Sequence, residues 1–293
     1  MPLRSICSTL FLAALSLTML VGTRPAQAQS PDPPEATALI RAATERIGGD
    51  AWSKAKSVES IAVASTAMGE ARIEFRSVAP NARHLMQTMP GGRGVMEMGV
   101  VDGVAWMGEP GRSRAIDPKL AQEMSGGGDL QSLVHALDTR FTGFELAGKV
   151  ALDGRDAWKI TMQPREAGPT GLARWTAFID VADLTILGLE IPAPPKDLAP
   201  NAGEQFAQTI RFRDWIAAET PTPKTAAPTS TPAADGAEAA KPARRVLAFK
   251  TAVIEAGGMK TELTFTRVAL DTLAADAIRV PESIEPMAAP RKY

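Results

Sequence analysis

The stretch FELAGKVALDGRDAWKITMQPREAGPTGLARWTAFIDVADLTILGLEI, residues 144–191, decides the fold. It reads as four strands in succession: Phe144–Val150, Ala157–Gln163, Ala173–Asp180 and Leu184–Ile191. Asp153-Gly154 separates the first two, and that dipeptide tolerates the positive φ angles of a tight hairpin turn. Four strands joined by short turns, with no room for crossover helices, make an antiparallel meander.

Upstream the pattern repeats. Val58–Met68, Glu70–Val78, Arg83–Met89, Gly94–Val101 and Val104–Met107 read as strands, with Pro90-Gly91-Gly92 and Asp102-Gly103 as turns. Along Glu70–Val78, Ala71, Ile73 and Phe75 alternate with Arg72, Glu74 and Arg76, so one face is apolar and the other charged. Downstream, Phe206–Ala217 is a strand, and Arg245–Glu255 with Lys260–Leu270 is a hairpin turned at Ala256-Gly257-Gly258. Two strands do not fold alone, so this hairpin completes the main sheet. Pro192–Pro200 reads as a loop. Between the last strands, residues 218–243 are an Ala/Pro/Thr tract without large apolar side chains, and such a composition is expected to stay disordered. At the end, Ile278 and Val280 are placed to reach the core before Pro281.

Helices flank and interrupt the strands. Glu35–Ile47 has a 3.6-residue period through Ala38, Leu39, Ala42, Ala43, Arg46 and Ile47, and Gly48-Gly49 stops it. A short turn of helix, Asp50–Lys56, carries Trp52 inward. Asp117–Met124 is a helix with Asp117 as N-cap and Pro118 at the first position. Ser125–Gly128 breaks it, and Asp129 caps a second helix over Leu130–Thr139. The pair sits in the middle of the strand series, where it can lie across one face of the sheet.

Composition sets the compartment. The chain has 293 residues, 45% hydrophobic and 5% aromatic, with a formal net charge of -1. That charge and the lack of a basic stripe with interleaved aromatics argue against nucleic acid as a partner. Arg4, the apolar run Leu10–Val21 and Ala26-Gln27-Ala28 form a signal peptide, with cleavage expected after Ala28 and a mature start at Gln29. The run is short for a membrane span. Cys7, the single cysteine, lies before it, so the exported chain has no disulfide and relies on packing. The expected location is a bacterial periplasm.

With the strands laid out, the sequence resembles a family. Asp153-Gly154-Arg155-Asp156-Ala157-Trp158-Lys159-Ile160 is a charged turn entering a strand. Trp175-Thr176-Ala177-Phe178-Ile179-Asp180 ends on aspartate, and Leu184-Thr185-Ile186-Leu187-Gly188-Leu189-Glu190 resumes after a short turn. With the leading helix, Gly48-Gly49 and the Ile278-Arg279-Val280-Pro281 close, this is similar to the LolA/LolB-like lipoprotein-localisation superfamily of periplasmic carriers and receptors. The resemblance covers nearly the whole mature chain, from residue 29 to 293. It implies an α+β fold: a curved antiparallel sheet, an incomplete β-barrel, with an N-terminal helix and a helical lid insert. It also implies a cavity that takes a lipid or the acyl chains of a lipoprotein, in a protein that is not an enzyme.

The residues that would line such a cavity are Ile73, Phe75, Met96, Met98, Phe144, Leu146, Trp158, Ile160, Met162, Trp175 and Ile179. Leu130, Leu133, Val134 and Leu137 would form the lid. Methionine suits variable apolar ligands because its thioether chain adapts. The same strand faces would equally fill a closed core, and periodicity leaves the two readings open. A scaffold that contacts an envelope protein partner through this fold is the alternative function. Catalytic and cofactor signals are absent from the sequence. His84 and His135 lack metal-ligand spacing and read as surface or boundary residues. No G-x-S-x-G elbow is present. Pro90–Gly94 joins two strands and reads as a hairpin turn, not a phosphate loop.

Overall fold

The structure, a computed structural model, describes residues 35–286 apart from residue 93 and residues 119–128, 167–170, 194–206 and 222–244. The expected signal segment, most of the first insert helix with its Ser125–Gly128 break, most of the 192–200 loop and most of the Ala/Pro tract lie outside the described residues.

Helix α1 (Ala36–Ile47) forms where the period places it, but its buried face is Ala36, Leu39, Ile40, Ala43, Thr44 and Ile47. Ala38 and Arg46 are exposed. The face is rotated because burying Ile40 removes more apolar area than burying Ala38. Thr44 follows it inward, since its hydroxyl donates to the Ile40 carbonyl at 2.6 Å and so is not left unpaired. Gly48 ends the helix at φ 88. A side chain there would be strained, and its Cβ would come within 3.0 Å of Val246 Cα. Helix α2 (Gly49–Ser53) brings Trp52 into the core.

A first meander follows: β1 (Ser57–Thr66), β2 (Gly69–Val78), β3 (Ala82–Thr88), β4 (Val95–Val101), β5 (Val104–Glu109) and β6 (Arg112–Ala115). The expected helix over Leu130–Thr139 is two short pieces, α3 (Leu130–His135) and α4 (Leu137–Arg140), broken at Ala136. A second meander comprises β7 (Phe141–Leu152), β8 (Arg155–Pro164), β9 (Trp175–Asp180), β10 (Ile186–Ile191), β11 (Gln208–Ala217), β12 (Leu247–Ala256) and β13 (Met259–Leu270), with a short β14 (Ile284–Glu285) at the end. Strands β6 and β14 are not foreseen from the sequence. Arg112–Ala115 shows no apolar alternation, and its Ser113 is buried by donating to Glu97 at 2.8 Å.

Pairing of β1 with β13 joins the meanders into one curved sheet in the order β14-β6-β5-β4-β3-β2-β1-β13-β12-β11-β10-β9-β8-β7. The strands at its two edges, β14 and β7, are not paired to each other, so the sheet does not close. All neighbours run antiparallel except β14 and β6.

The main core lies on one face. Helix α1 packs against α4, β7 and β9, and Ile40, Ile47, Val134 and Leu137 meet Ile160, Met162, Ile179, Leu189 and Phe249 there. A smaller cluster on the other face seats Trp106 and Val78 under Ile278 of the C-terminal tail. Ile278 is buried as expected. Val280 is not, being 37% exposed; of the tail, Leu273, Ile278 and Ile284 reach this cluster.

The charged face of β2 is also less wet than alternation implies. Glu59 and Glu74 are buried, bound by Arg76 at 2.9 and 3.4 Å and by Arg72 at 2.8 Å. Carboxylates buried this way persist because each is paired.

Asp180 explains why the β9–β10 turn begins on aspartate. It is 2% exposed; Oδ1 accepts the backbone N–H groups of Ala182 and Asp183 at 2.7 and 2.9 Å, and Oδ2 pairs with Arg155 at 2.7 Å. Replacing Asp180 with alanine leaves two N–H groups and a guanidinium without this acceptor. The guanidinium is 44% exposed and can rehydrate, so the expected loss is about 2 kcal/mol, read as a lower urea midpoint at unchanged slope.

Candidate functional site

The face that carries the core is not covered evenly. Across β2 to β5, register sets Phe75, Leu85, Met98 and Met107 in one cross-strand row. The next row holds Ile73, Gln87 and Met96. On the other side of the first row stand Ser77, Arg83, Val100 and Ala105. Phe75 and Met98 are buried, while Ile73, Leu85, Met96 and Met107 remain half-buried. Among the described residues, none of these six joins the main core cluster. They form an apolar strip along the half of the face that α1 does not cover.

The expected lining therefore falls into two groups. Ile73, Phe75, Met96 and Met98 belong to the strip. Ile160, Met162 and Ile179 are fully buried in the main core, and Phe144, Leu146, Trp158 and Trp175 are half-buried against it. Of the lid residues, Leu130, Val134 and Leu137 are buried in the same core and Leu133 packs on its margin. Leu85 and Met107 complete the strip and are not picked out by the sequence. Leu85 stands between Arg83 and Gln87 on its face, which hides it from any test of apolar alternation.

The helices are seated by polar contacts that strand and helix periods do not reveal. Gln131 is fully buried and donates to the Phe249 carbonyl at 2.8 Å. The Trp52 indole donates to Ser132 Oγ at 3.0 Å. His135 stacks on Trp52 with ring centroids 4.0 Å apart. Its two ring nitrogens lie 2.6 Å from the Gln131 carbonyl and 2.8 Å from the Leu247 carbonyl. So His135 is not a surface residue: it is 3% exposed, because it ties α3 to β12 beneath α1. Burial holds its imidazole down to about 4, against the pull of these carbonyls and that of Ile47.

His84 is half-buried on the opposite face, 3.5 Å from Glu97. Burial lowers its pKa, and Glu97 opposes that shift. Glu97 also accepts from Ser113. The carboxylate thus stands between serine and histidine, whereas nucleophile activation needs the imidazole in that place. Among the described residues no group of three or more His, Cys, Asp or Glu is placed to hold a metal ion.

A cavity of about 340 Å³ opens where α2, α3 and α4 face the start of β1 and the β2–β3 pair, with Trp52, Val58, Ser77, Arg83, Ser132 and Arg140 in its wall. Desolvation in this recess pulls the Arg140 guanidinium below its ordinary value, and the charge of Arg83 acts in the same direction; Asp129 opposes both. Asp129 is itself 5% exposed and capped by the Ser132 N–H at 3.1 Å. Burial raises its carboxyl against the pull of that cap and of both arginines.

No family model matches the sequence, and no curated protein matches it. Solved structures do. The LolA superfamily protein NE2245 from Nitrosomonas europaea is 12% identical and superposes with a TM-score of 0.51, over 85% of this chain and 99% of that one. This chain has the LolA-like fold. A DUF1329 family protein from Desulfovibrio piger is 13% identical over 81% of this chain and 95% of that one, with a TM-score of 0.48. The curved, unclosed antiparallel sheet with few helices is the architecture implied by the Asp153–Ile160 and Trp175–Glu190 motifs. In this LolA-like sheet, α1, α3 and α4 share the main core with β7–β13. Among the described residues no helix is long and apolar enough to cross a membrane.

Proposed function

We propose that this protein is a periplasmic binder or carrier of a hydrophobic ligand, a lipid or the acyl chains of a lipoprotein, and that it works without catalysis. The observation that carries the reading is the half-buried strip of Ile73, Leu85, Met96 and Met107 over buried Phe75 and Met98. A closed core would bury these side chains as fully as Ile160 and Ile179. Left as it is, the strip is apolar area that an acyl chain can remove from water at about 25 cal/mol per Å². Three of the six side chains are methionines, whose flexibility accommodates chains of different shape. The fully buried Ile160, Met162 and Ile179 then form the floor that fixes the curvature, with Phe144, Leu146, Trp158 and Trp175 at its margin. Leu130, Leu133, Val134 and Leu137 hold the helices down as a lid, and displacement of α3 and α4 releases the ligand. Export of the chain, with cleavage after Ala28, places this activity in the envelope.

Uptake of an acyl probe by delipidated protein tests the reading. Replacing Met96 with lysine is expected to weaken uptake about tenfold or more, because a cation then faces the chain. Stability should change by less than about 1 kcal/mol, since Met96 is half-buried and lysine can extend to water. Native mass spectrometry showing no acyl ligand before or after incubation, with Met96→Lys indistinguishable from wild type, would overturn the carrier reading.

A further inference from the structure

We propose that the cavity between Arg83 and Arg140 receives the anionic end, a carboxylate or phosphate, of the amphiphile whose chain lies on the strip, an assignment that rests on the carrier reading. The cavity wall and the strip are neighbours along two strands. Arg83 and Leu85 are two residues apart on the same face of β3, and Ser77 and Phe75 are likewise on β2. That spacing is roughly 7 Å along a strand, so a head group at Arg83 sets the first carbons of its chain on Leu85 and Phe75.

Arg83 comes from the sheet and Arg140 from α4, and both face the one cavity. Among the described residues neither guanidinium has a hydrogen-bond or ion-pair partner. The charges of Asp129 and Glu166 act on Arg140 from beyond ion-pair distance; an oxyanion between the two arginines gains the charge-assisted, fork-shaped hydrogen bonds that neither carboxylate makes. The carboxylates in the wall do not take that place. Asp50 is exposed and pairs with Lys54 at 3.8 Å, Glu45 points outward from α1, and Asp138 lies outside ion-pair distance of either arginine. Asp129, nearby, is occupied by the N–H of Ser132. Ser77 adds a hydroxyl donor at the wall, whereas Thr139 donates to the Ala136 carbonyl and Ser132 is engaged by Trp52. The volume, about 340 Å³, lies at the small end of ligand pockets, roughly 300–1,000 Å³, which suits a head group and not a whole lipid.

Three probes of equal chain length separate the possibilities: hexadecanoate, hexadecyl phosphate and hexadecanol, each titrated against the delipidated full chain by displacement of a fluorescent acyl reporter. The anions are expected to bind about tenfold or more tighter than the alcohol, and whichever of the two binds tighter identifies the oxyanion. Arg83→Gln and Arg140→Gln should each remove most of that preference and leave hexadecanol binding unchanged. Arg140 is in part open to solvent at the cavity wall, so its variant keeps the test alive if Arg83→Gln folds poorly. Equal affinity for alcohol and anions, or variants that weaken all three probes alike, would overturn the head-group site and leave the carrier reading standing. Binding of none of the probes would overturn both.

Discussion

Replacing Gly99 with alanine is expected to destabilise the protein by about 3 kcal/mol, the upper end for overpacking a core. Gly99 on β4 pairs with Trp106 on β5, and the indole lies flat across the glycine. A Cβ at Gly99 would stand 2.1 Å from Trp106 Cζ2 and within 2.6 Å of two further ring atoms, far inside van der Waals contact. The ring cannot simply swing away. Trp106 is 1% exposed and packed against Val78 and Ile278, so relief would require lifting the C-terminal tail. Urea unfolding followed by tryptophan fluorescence should show the loss. Gly99→Ala with wild-type stability would mean that Trp106 has another rotamer available. The double variant Gly99→Ala/Trp106→Leu should recover part of the lost stability, because the smaller side chain gives the new methyl room.

Acidification supplies the second large effect. His135 has a folded pKa of about 4 against 6.5 in the unfolded chain. A depressed histidine is neutral in the fold and protonated in the unfolded chain between those values, so the unfolded state binds more protons in that window. Its contribution to stability is therefore fully present above pH 6.5, falls as pH drops toward 4, and is constant below. The difference of 2.5 units amounts to about 3 kcal/mol. The buried carboxyl of Asp129 is raised and works with the opposite sign, gaining stability as it protonates, so wild type alone does not isolate His135. The pH dependence of the urea midpoint from 7 to 4.5 should be clearly shallower in His135→Gln, which is neutral throughout and can still donate to a carbonyl. A parallel pair of curves would show that His135 does not titrate in this range. Because His135 ties α3 to β12, protection of the α3 amides from hydrogen exchange should fall before that of β8 and β9 as pH is lowered.

How much of this was legible in the sequence differs by kind of interaction. Strand existence and pairing in the second meander follow from short-range chemistry. Asp153-Gly154 takes positive φ at both positions, 50 and 80, as a two-residue hairpin requires. Asp180 is chosen by the turn it caps. The faces of β2 follow from a period of two, and Trp52 from the size of its apolar surface. Where the reading departed from the structure, a distant partner made the difference. Ala38 and Ile40 compete for the inward face of α1, and only the space between β7 and β9 decides for Ile40. Arg112–Ala115 is polar and becomes a strand because β5 offers it a ladder and Glu97 accepts from its serine.

The candidate site shows the same division. Ile73, Phe75, Met96 and Met98 announce themselves by alternation, and so do Ile160, Met162 and Ile179. Alternation cannot say which of them α1 will cover, since covering depends on where a helix separated by many residues comes to lie. Arg83 and Arg140 are 57 positions apart and carry no motif.

By itself the sequence determined the strands of an antiparallel sheet and the tight turns between them, because periodicity, turn chemistry and capping act over a few neighbouring residues. Only the tertiary structure decided that β1 joins β13, that His135 is buried on Trp52, that among the described residues the methionine strip stays half-buried and outside the main core, and that two arginines share a cavity. Those outcomes come from long-range packing, in which the same local pattern serves a filled core or an open groove according to what is laid across it.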